Sequence, residues 1–341
     1  MRRSPLSALY GKALAARAGL YASGRFESHA LPRPSVSVGN LTLGGTGKTP
    51  FVEFLARRLR FEGWRPAILS RGYGRTSRGV VVVSAGDGPV VSAEEGGDEP
   101  VALARALSGV LVVVGERRAQ AARRAADLGA DLFLLDDGFQ HLAVRRDVDL
   151  LLLDSRDPFG GGRFPPRGRL REPVAALKRA DAIVFTRVNR GAPPAEALRQ
   201  ISLLHPGVPI FHARIRPASL RDETGAGVEA SLLAERRCLG VCGIANGRDF
   251  AGTLRELSLS PEEVLEFRDH QRYRSRHLAR IREAGERVGA SWIVTTEKDA
   301  AKLSGKTALP LLTVRLAVEV EEPGFFAFLT ERLKAGAPVA R

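Results

Sequence analysis

The sequence predicts an α/β protein built on a mostly parallel sheet, with one larger and one smaller domain. Short continuous apolar runs such as Leu132–Leu135 and Leu150–Leu153 alternate with helical patterns, as strands covered by helices on both faces do. A length of 341 residues suits one large or two modest α/β units. The rhythm breaks once, over residues 216–236, where turn formers and charge replace periodicity, and then resumes. With 44% apolar and 26% charged residues the composition is that of a globular chain, which excludes wholesale disorder.

Residues 1–35 hold six basic side chains (Arg2, Arg3, Lys12, Arg17, Arg25, Arg33) against the single acid Glu27. Leu6, Leu9, Tyr10, Ala13, Leu14, Leu20 and Tyr21 recur at steps of three and four, so a helix gathers them on one stripe. Arg17 falls on that stripe and must snorkel. Such a helix either lies in an anionic membrane interface or packs on its own domain.

From residue 36 onward, Val36–Val38 leads into a glycine loop and a helix over Thr49–Phe61. Pro66–Leu69, Val80–Val83, Val110–Val114, Leu132–Leu135, Leu150–Leu153 and Ala182–Phe185 read as buried strands, with helices Glu116–Leu128 and Ala195–Leu203 between them. After the break come strand Cys238–Gly243, helix Arg248–Leu257, strand Val264–Phe267, helix Arg274–Val288, strands Trp292–Thr296 and Leu311–Val320, and a closing helix Gly324–Leu333. Ile210–Arg216 and Leu311–Arg315 are read as the outgoing and returning strands of a hinge. The expected divisions are 1–35 (surface helix), 36–215 (larger domain), 216–236 (hinge or linker), 237–310 (smaller domain) and 311–341 (returning strand and last helix).

The 52 basic residues against 38 acidic ones leave a formal charge of +14, which implies an anionic partner: nucleic acid, phosphates or an acidic membrane surface. No aromatic-basic nucleic-acid module is present. Cys238 and Cys242 alone make neither a disulfide framework nor a zinc site. No stretch approaches the ~20 apolar residues of a spanning helix.

The strongest chemical signal is Gly39-Asn40-Leu41-Thr42-Leu43-Gly44-Gly45-Thr46-Gly47-Lys48-Thr49-Pro50, set between a strand and a helix. Glycines let backbone N–H groups converge on phosphate oxygens, and the helix N-terminus adds its positive dipole end. Gly44, Gly45, Thr46 and Gly47 form the cradle, Lys48 reaches the β/γ-phosphates, and the Thr49 hydroxyl ligates Mg²⁺. Thr42 stands where the strict phosphate-loop pattern has its first glycine. The chain is therefore expected to bind a nucleoside triphosphate.

Two further acidic clusters carry a functional and a structural reading each. Asp136-Asp137 ends a buried strand, either as a Mg²⁺ site beside the phosphate loop or as a strand-ending turn. Asp98-Glu99 follows paired glycines, either as a base and a metal ligand or as caps of the next helix. Asp269-His270 becomes informative only if His270 comes to Asp98. Arg71, Arg75, Arg117, Arg118, Arg167, Arg169 and Arg171 sit in loops suited to bidentate phosphate binding.

Together, VGNLTLGGTGKTP (38–50), SRGYGR (70–75), GDEP (97–100), GERR (115–118), LLDDGFQH (134–141), LREP (170–173), GIAN (243–246), DHQRY (269–273) and TTEKDA (295–300) resemble the tetraacyldisaccharide 4′-kinase family of lipid A biosynthesis, in family order over nearly the whole chain. Gly247 departs from the proline common there. The resemblance implies a phosphate-loop kinase domain and a smaller α/β domain joined by a two-stranded hinge. It implies ATP- and Mg²⁺-dependent phosphorylation of the 4′-hydroxyl of a tetraacylated glucosamine disaccharide 1-phosphate, by a peripheral enzyme on the cytoplasmic face of the inner membrane. It makes Asp98 the base with His270 as a dyad, gives Lys48 and Thr49 the phosphate and metal roles, adds Glu99 and Asp136 near the metal, and sets Arg117 with the nucleotide. The competing readings are a switch-type phosphate-loop NTPase acting on a protein or nucleic acid, and a non-enzymatic scaffold at a membrane surface.

Overall fold

Leu132–Asp136 shows how this sequence builds its sheet: Leu132 and Leu134 face one apolar cluster while Phe133 and Leu135 face another. The period of two sends alternate side chains to opposite faces, and both faces are covered, so the run reads as continuously apolar. The computed structural model describes residues 5–233, 236–244, 247–268 and 271–336. The chain divides into two units, one of residues up to Ile215 plus those from Val318, the other Arg216–Ala317.

The first unit holds strands β1 (Ser35–Asn40), β2 (Pro66–Ser70), β3 (Val81–Ser84), β4 (Leu111–Val114), β5 (Leu132–Asp136), β6 (Val148–Asp154), β7 (Ala182–Thr186) and the start of β8 (Ile210–Arg221). They lie in the order β8-β7-β6-β1-β5-β2-β4-β3. All neighbours pair in parallel except β3, which runs antiparallel to β4 at the edge. After β5 the chain crosses to the far side of β1 to form β6, so strand order reverses around β1. In open parallel sheets the carboxyl ends at such a reversal form the ligand crevice.

Helices α1 (Pro5–Ala22), α2 (Lys48–Phe61), α3 (Ala93–Gly96), α4 (Asp98–Ala106), α5 (Arg118–Asp127) and α6 (Ala195–Leu204) belong to this unit. On one face of the sheet α2 and α4 bury Phe51, Leu55, Leu59 and Leu103 against Val36, Val38, Leu134 and Leu150. Ala121, Ala122 and Ala125 of α5 pack on the other face against Phe133 and Leu135. Small side chains there bring the helix close to the sheet.

In α1 only Gly11, Leu14, Ala18, Leu20 and Tyr21 are half-buried among the side chains described, while Leu9 is 66% exposed and the partly exposed Tyr10 sets its ring edge-on against Phe164. The expected apolar stripe is thus divided between a protein-facing and a solvent-facing side. Arg17 needs no burial: it is exposed, 5.2 Å from the Tyr21 ring centroid.

The second unit contains the end of β8, β9 (Gly227–Val228), β10 (Cys238–Cys242), α7 (Gly247–Glu256), β11 (Glu263–Glu266), α8 (Ser275–Val288), β12 (Trp292–Thr296), α9 (Glu297–Leu303) and most of β13 (Leu311–Val320). Its sheet order is β11-β10-β12-β13-β8. Residues 216–236, expected as a hinge or linker, carry the second half of β8, its antiparallel partner β9 and a short 3₁₀ turn. Arg and Pro in that half of β8 hide the strand from a periodicity reading because alternate residues face solvent. The last helix, α10 (Phe325–Gly336), packs Phe325 against Phe51 and Phe211 of the first unit.

Candidate active site

The phosphate-loop motif begins where β1 ends. Gly39 is required there because a Cβ would overlap Phe139 of the DDGFQH motif. Gly44 (φ 106°) and Gly47 (φ 81°) take left-handed conformations that favour glycine. Thr42 in place of the first glycine has a local cause: it bridges Leu170 as extended backbone, so no positive φ is needed. The α2 N-terminus follows at Lys48 with no side chain capping it, leaving its first amides for an anion. Among the described residues the buried Thr46 hydroxyl has no hydrogen-bond partner.

Lys48 Nζ donates to Asn40 Oδ1 at 3.0 Å and lies 3.5 Å from Asp137 Oδ1. Arg171 Nη1 donates to the same Asp137 oxygen at 2.6 Å, and Gln140 Nε2 donates to the Asn40 carbonyl at 2.8 Å. Burial alone would raise Asp137, but Lys48 and Arg171 outweigh it and hold its carboxyl at about 2. Asp137 is ionised at neutral pH. It sits at φ 55°, turning its side chain away from the strand direction of Asp136.

Asp136 ends β5 beside Val38 of β1 and is 3% exposed. Burial chiefly, then the charges of Glu99 and Asp137, push its carboxyl above the usual range against the pull of Lys48 and Arg118. Arg118 is equally buried; desolvation brings it down to about 10 although Asp136 and Asp137 favour its charge. Its Nη1 donates to the Gly115 carbonyl at 2.7 Å, and its Nε has no partner among the described residues. Arg117, the expected nucleotide residue, lies exposed at the N-cap of α5. The inward guanidinium of the GERR motif is that of Arg118, a difference one helical step makes.

Asp98 and Glu99 are the first two residues of α4, both half-buried. The N-cap is Gly97 (φ 93°), which lies against Gly72 of SRGYGR, so these two motifs meet backbone to backbone. Side-chain capping falls to Ser92, which caps α3 with Glu95 in a reciprocal box. Asp98 is therefore not the cap of its helix. His270 and its neighbour Asp269 lie outside the described residues. In the second unit, the buried Asp299 of TTEKDA accepts from Gly243 N (2.7 Å), Thr296 Oγ1 (2.8 Å) and Tyr273 Oη (3.0 Å), which ties together the GIAN, DHQRY and TTEKDA motifs.

Among the described residues no group of three His, Cys, Asp or Glu side chains forms a metal cluster. The residues nevertheless fit Mg²⁺. That ion takes one or two protein oxygens and completes its shell with phosphate oxygens and water. Burial and the charges of Glu99 and Asp137 push the Asp136 carboxyl upward, a strain that a cation beside it relieves, and Thr49 stands half-buried in the first turn of α2.

Residues 3–334 match the family described as tetraacyldisaccharide-1-P 4′-kinase. The chain is 42% identical over 323 residues to a protein named tetraacyldisaccharide 4′-kinase from Geobacter sulfurreducens, covering 93% of this chain and 88% of that one. It is likewise 42% identical to one of that name from Pelobacter propionicus, covering 97% and 90%. A crystal structure of LpxK from Aquifex aeolicus in complex with ATP superimposes with a TM-score of 0.77 at 33% identity, covering 96% of this chain and 97% of that one.

Proposed function

From the premise that this chain belongs to the tetraacyldisaccharide-1-P 4′-kinase family, and so phosphorylates the 4′-hydroxyl of a lipid A precursor with ATP, we propose how its own residues divide the work. Lys48 and the amides of 44–49 bind the β- and γ-phosphates. Thr49, Asp136 and Glu99 would hold Mg²⁺, which would supply charge neutralisation to the phosphates. Asp98 accepts the proton of the 4′-hydroxyl, and His270 assists it. Asp137 keeps Lys48 and Arg171 extended toward the loop.

The observation that carries this reading is the junction of β1 and β5. There a lysine of the phosphate loop, an ionised Asp137 and a buried Asp136 lie together at the carboxyl ends of adjacent parallel strands. Phosphoryl transfer asks for this mixture of fixed cations and a metal-seeking carboxylate.

The acceptor is a disaccharide with a 1-phosphate and acyl chains held in a bilayer. The exposed guanidiniums of Arg17 and Arg71, whose charges reach His141, suit an anionic acceptor. The projecting Leu9 of α1, beside Lys12 and Arg17, suits peripheral attachment to an anionic membrane surface, the cytoplasmic face of the inner membrane. No described helix is long and apolar enough to cross a membrane. The test is direct: purified protein with γ-labelled ATP, Mg²⁺ and detergent-dispersed disaccharide 1-phosphate should yield a labelled bisphosphate. Binding of ATP without transfer of label would remove the reading.

A further inference from the structure

We propose that Arg187, oriented by Asp154, is a positioning residue that aims two amides of the phosphate loop at the nucleotide; this rests on residues 44–49 being the ATP cradle. Arg187 follows Thr186, the last residue of β7, and stands at φ 60°, ψ 32°. Side-chain-bearing residues adopt that left-handed conformation rarely, and when they do it marks a position whose surroundings enforce it. Here the enforcing groups are visible. Arg187 Nη1 donates to the Gly45 carbonyl at 2.6 Å and to Asp154 Oδ2 at 2.7 Å. Asp154 ends the neighbouring strand β6, in register with Thr186.

The adjoining residue works in the same direction. Thr186 Oγ1 donates to the Thr46 carbonyl at 2.8 Å. In a planar trans peptide the C=O and the following N–H point opposite ways. Holding the Gly45 carbonyl therefore turns the Thr46 N–H away from β7, and holding the Thr46 carbonyl does the same for the Gly47 N–H. Neither amide has an acceptor among the described residues. Buried backbone donors are seldom left so, which points to an anion as their partner.

A third grip reaches Gly47. The Asn189 side chain donates to the Ile215 carbonyl at 3.1 Å and accepts from the Ile215 N–H at 3.2 Å. Ile215 Cδ1 fills the space a Cβ on Gly47 would need. The three residues Thr186, Arg187 and Asn189 thus brace Thr46, Gly45 and Gly47, directly or through Ile215. Arg187 reaches the nucleotide only through these peptides.

The experiment measures binding of a non-hydrolysable ATP analogue by calorimetry, with steady-state kinetics, on Arg187→Gly, Arg187→Ala, Arg187→Lys and Asp154→Asn. Arg187→Gly separates the two roles, since glycine accepts the left-handed conformation, so its effect reports the missing side chain and not backbone strain. Arg187→Gly and Arg187→Ala should each weaken analogue binding at least tenfold and raise KM for ATP in parallel, while KM for the acceptor stays within twofold. Arg187→Lys should recover part of the loss, because an ammonium replaces the forked donor with a point charge. Arg187→Gly binding the analogue within twofold of the unaltered protein would overturn the proposal. If no Arg187 variant folds, Asp154→Asn decides it: a KM for ATP raised severalfold supports the brace, and an unchanged one overturns it. An unaltered protein that binds no analogue would instead overturn the cradle reading itself.

Discussion

Lys48 and Arg171 converge on one oxygen of Asp137, at 3.5 Å and 2.6 Å. The carboxylate stays ionised at any ordinary pH, so it keeps two cations aimed at the mouth of the phosphate loop before a nucleotide arrives. Charge that is already placed needs no reorganisation when the phosphoryl group transfers. Lys48→Ala should therefore lower kcat by about 10²- to 10³-fold, the usual cost of one such group. Asp137→Asn should raise KM for ATP, because Lys48 loses its charged partner and keeps only the Asn40 side-chain carbonyl. Steady-state kinetics on variants with unchanged circular dichroism checks both, and a Lys48→Ala enzyme within threefold of normal would take Lys48 out of the reaction.

Asp98 makes a sharper test, because the structure removes its simplest structural explanation. Gly97 occupies the N-cap of α4 and Ser92 caps α3, so loss of the Asp98 carboxylate deletes no N-cap. Asp98→Asn should lower kcat by about 10²- to 10⁴-fold, as for a general base. Binding of an ATP analogue should survive, since a base acts only once the acceptor is in place. A variant that turns over normally would return Asp98 to a role in helix electrostatics.

The alternation of apolar runs and helical patterns made the sheet legible, because strands buried on both faces write their burial as unbroken Val, Leu and Ile. The phosphate loop was legible for a different reason: Gly44 and Gly47 need positive φ, and glycine records that in the sequence. Other parts left weaker traces. Asn40, which takes up Lys48, is one polar residue at the end of a buried strand, and only its motif position hints at a role. Arg118 and Arg117 are adjacent and chemically identical, so the inward one is fixed by where α5 starts, a detail finer than periodicity resolves. Thr186–Asn189 has no composition signature, because its work is done by backbone geometry.

His141 gives the protein an acid-sensitive element. Burial first, then the charges of Arg118, Arg146, Arg17 and Arg71, bring its imidazole down to about 4 from the ordinary 6.5. Between those values the unfolded chain binds a proton that the folded chain refuses. Stability is therefore full above pH 6.5 and falls as pH drops toward 4. The limit is about 1.4 kcal/mol per pH unit, reduced here because the ring is partly exposed to screening solvent. His141→Gln removes the titration, so Tm of the unaltered protein should fall faster than that of the variant from pH 6.5 to 4.5. Parallel curves over that interval would show that the imidazole does not govern acid lability.

Leu9 tests the membrane face of α1 without disturbing the fold. Its side chain is exposed, whereas the neighbouring Gly11 packs closely on Phe164 and cannot be changed cleanly. A surface substitution away from caps and core changes stability by no more than about 0.5 kcal/mol, so Leu9→Glu should leave Tm unmoved. It takes an apolar anchor from the interface and sets a negative charge against anionic headgroups, and both effects weaken attachment. Sedimentation with phosphatidylglycerol vesicles should show a severalfold loss of binding for Leu9→Glu. Binding of the unaltered protein should weaken from 50 to 500 mM salt as the field of Lys12 and Arg17 is screened. If Leu9→Glu sediments with vesicles as fully as the unaltered protein at every salt concentration, α1 does not dock through this side, and its exposed leucine is ordinary surface.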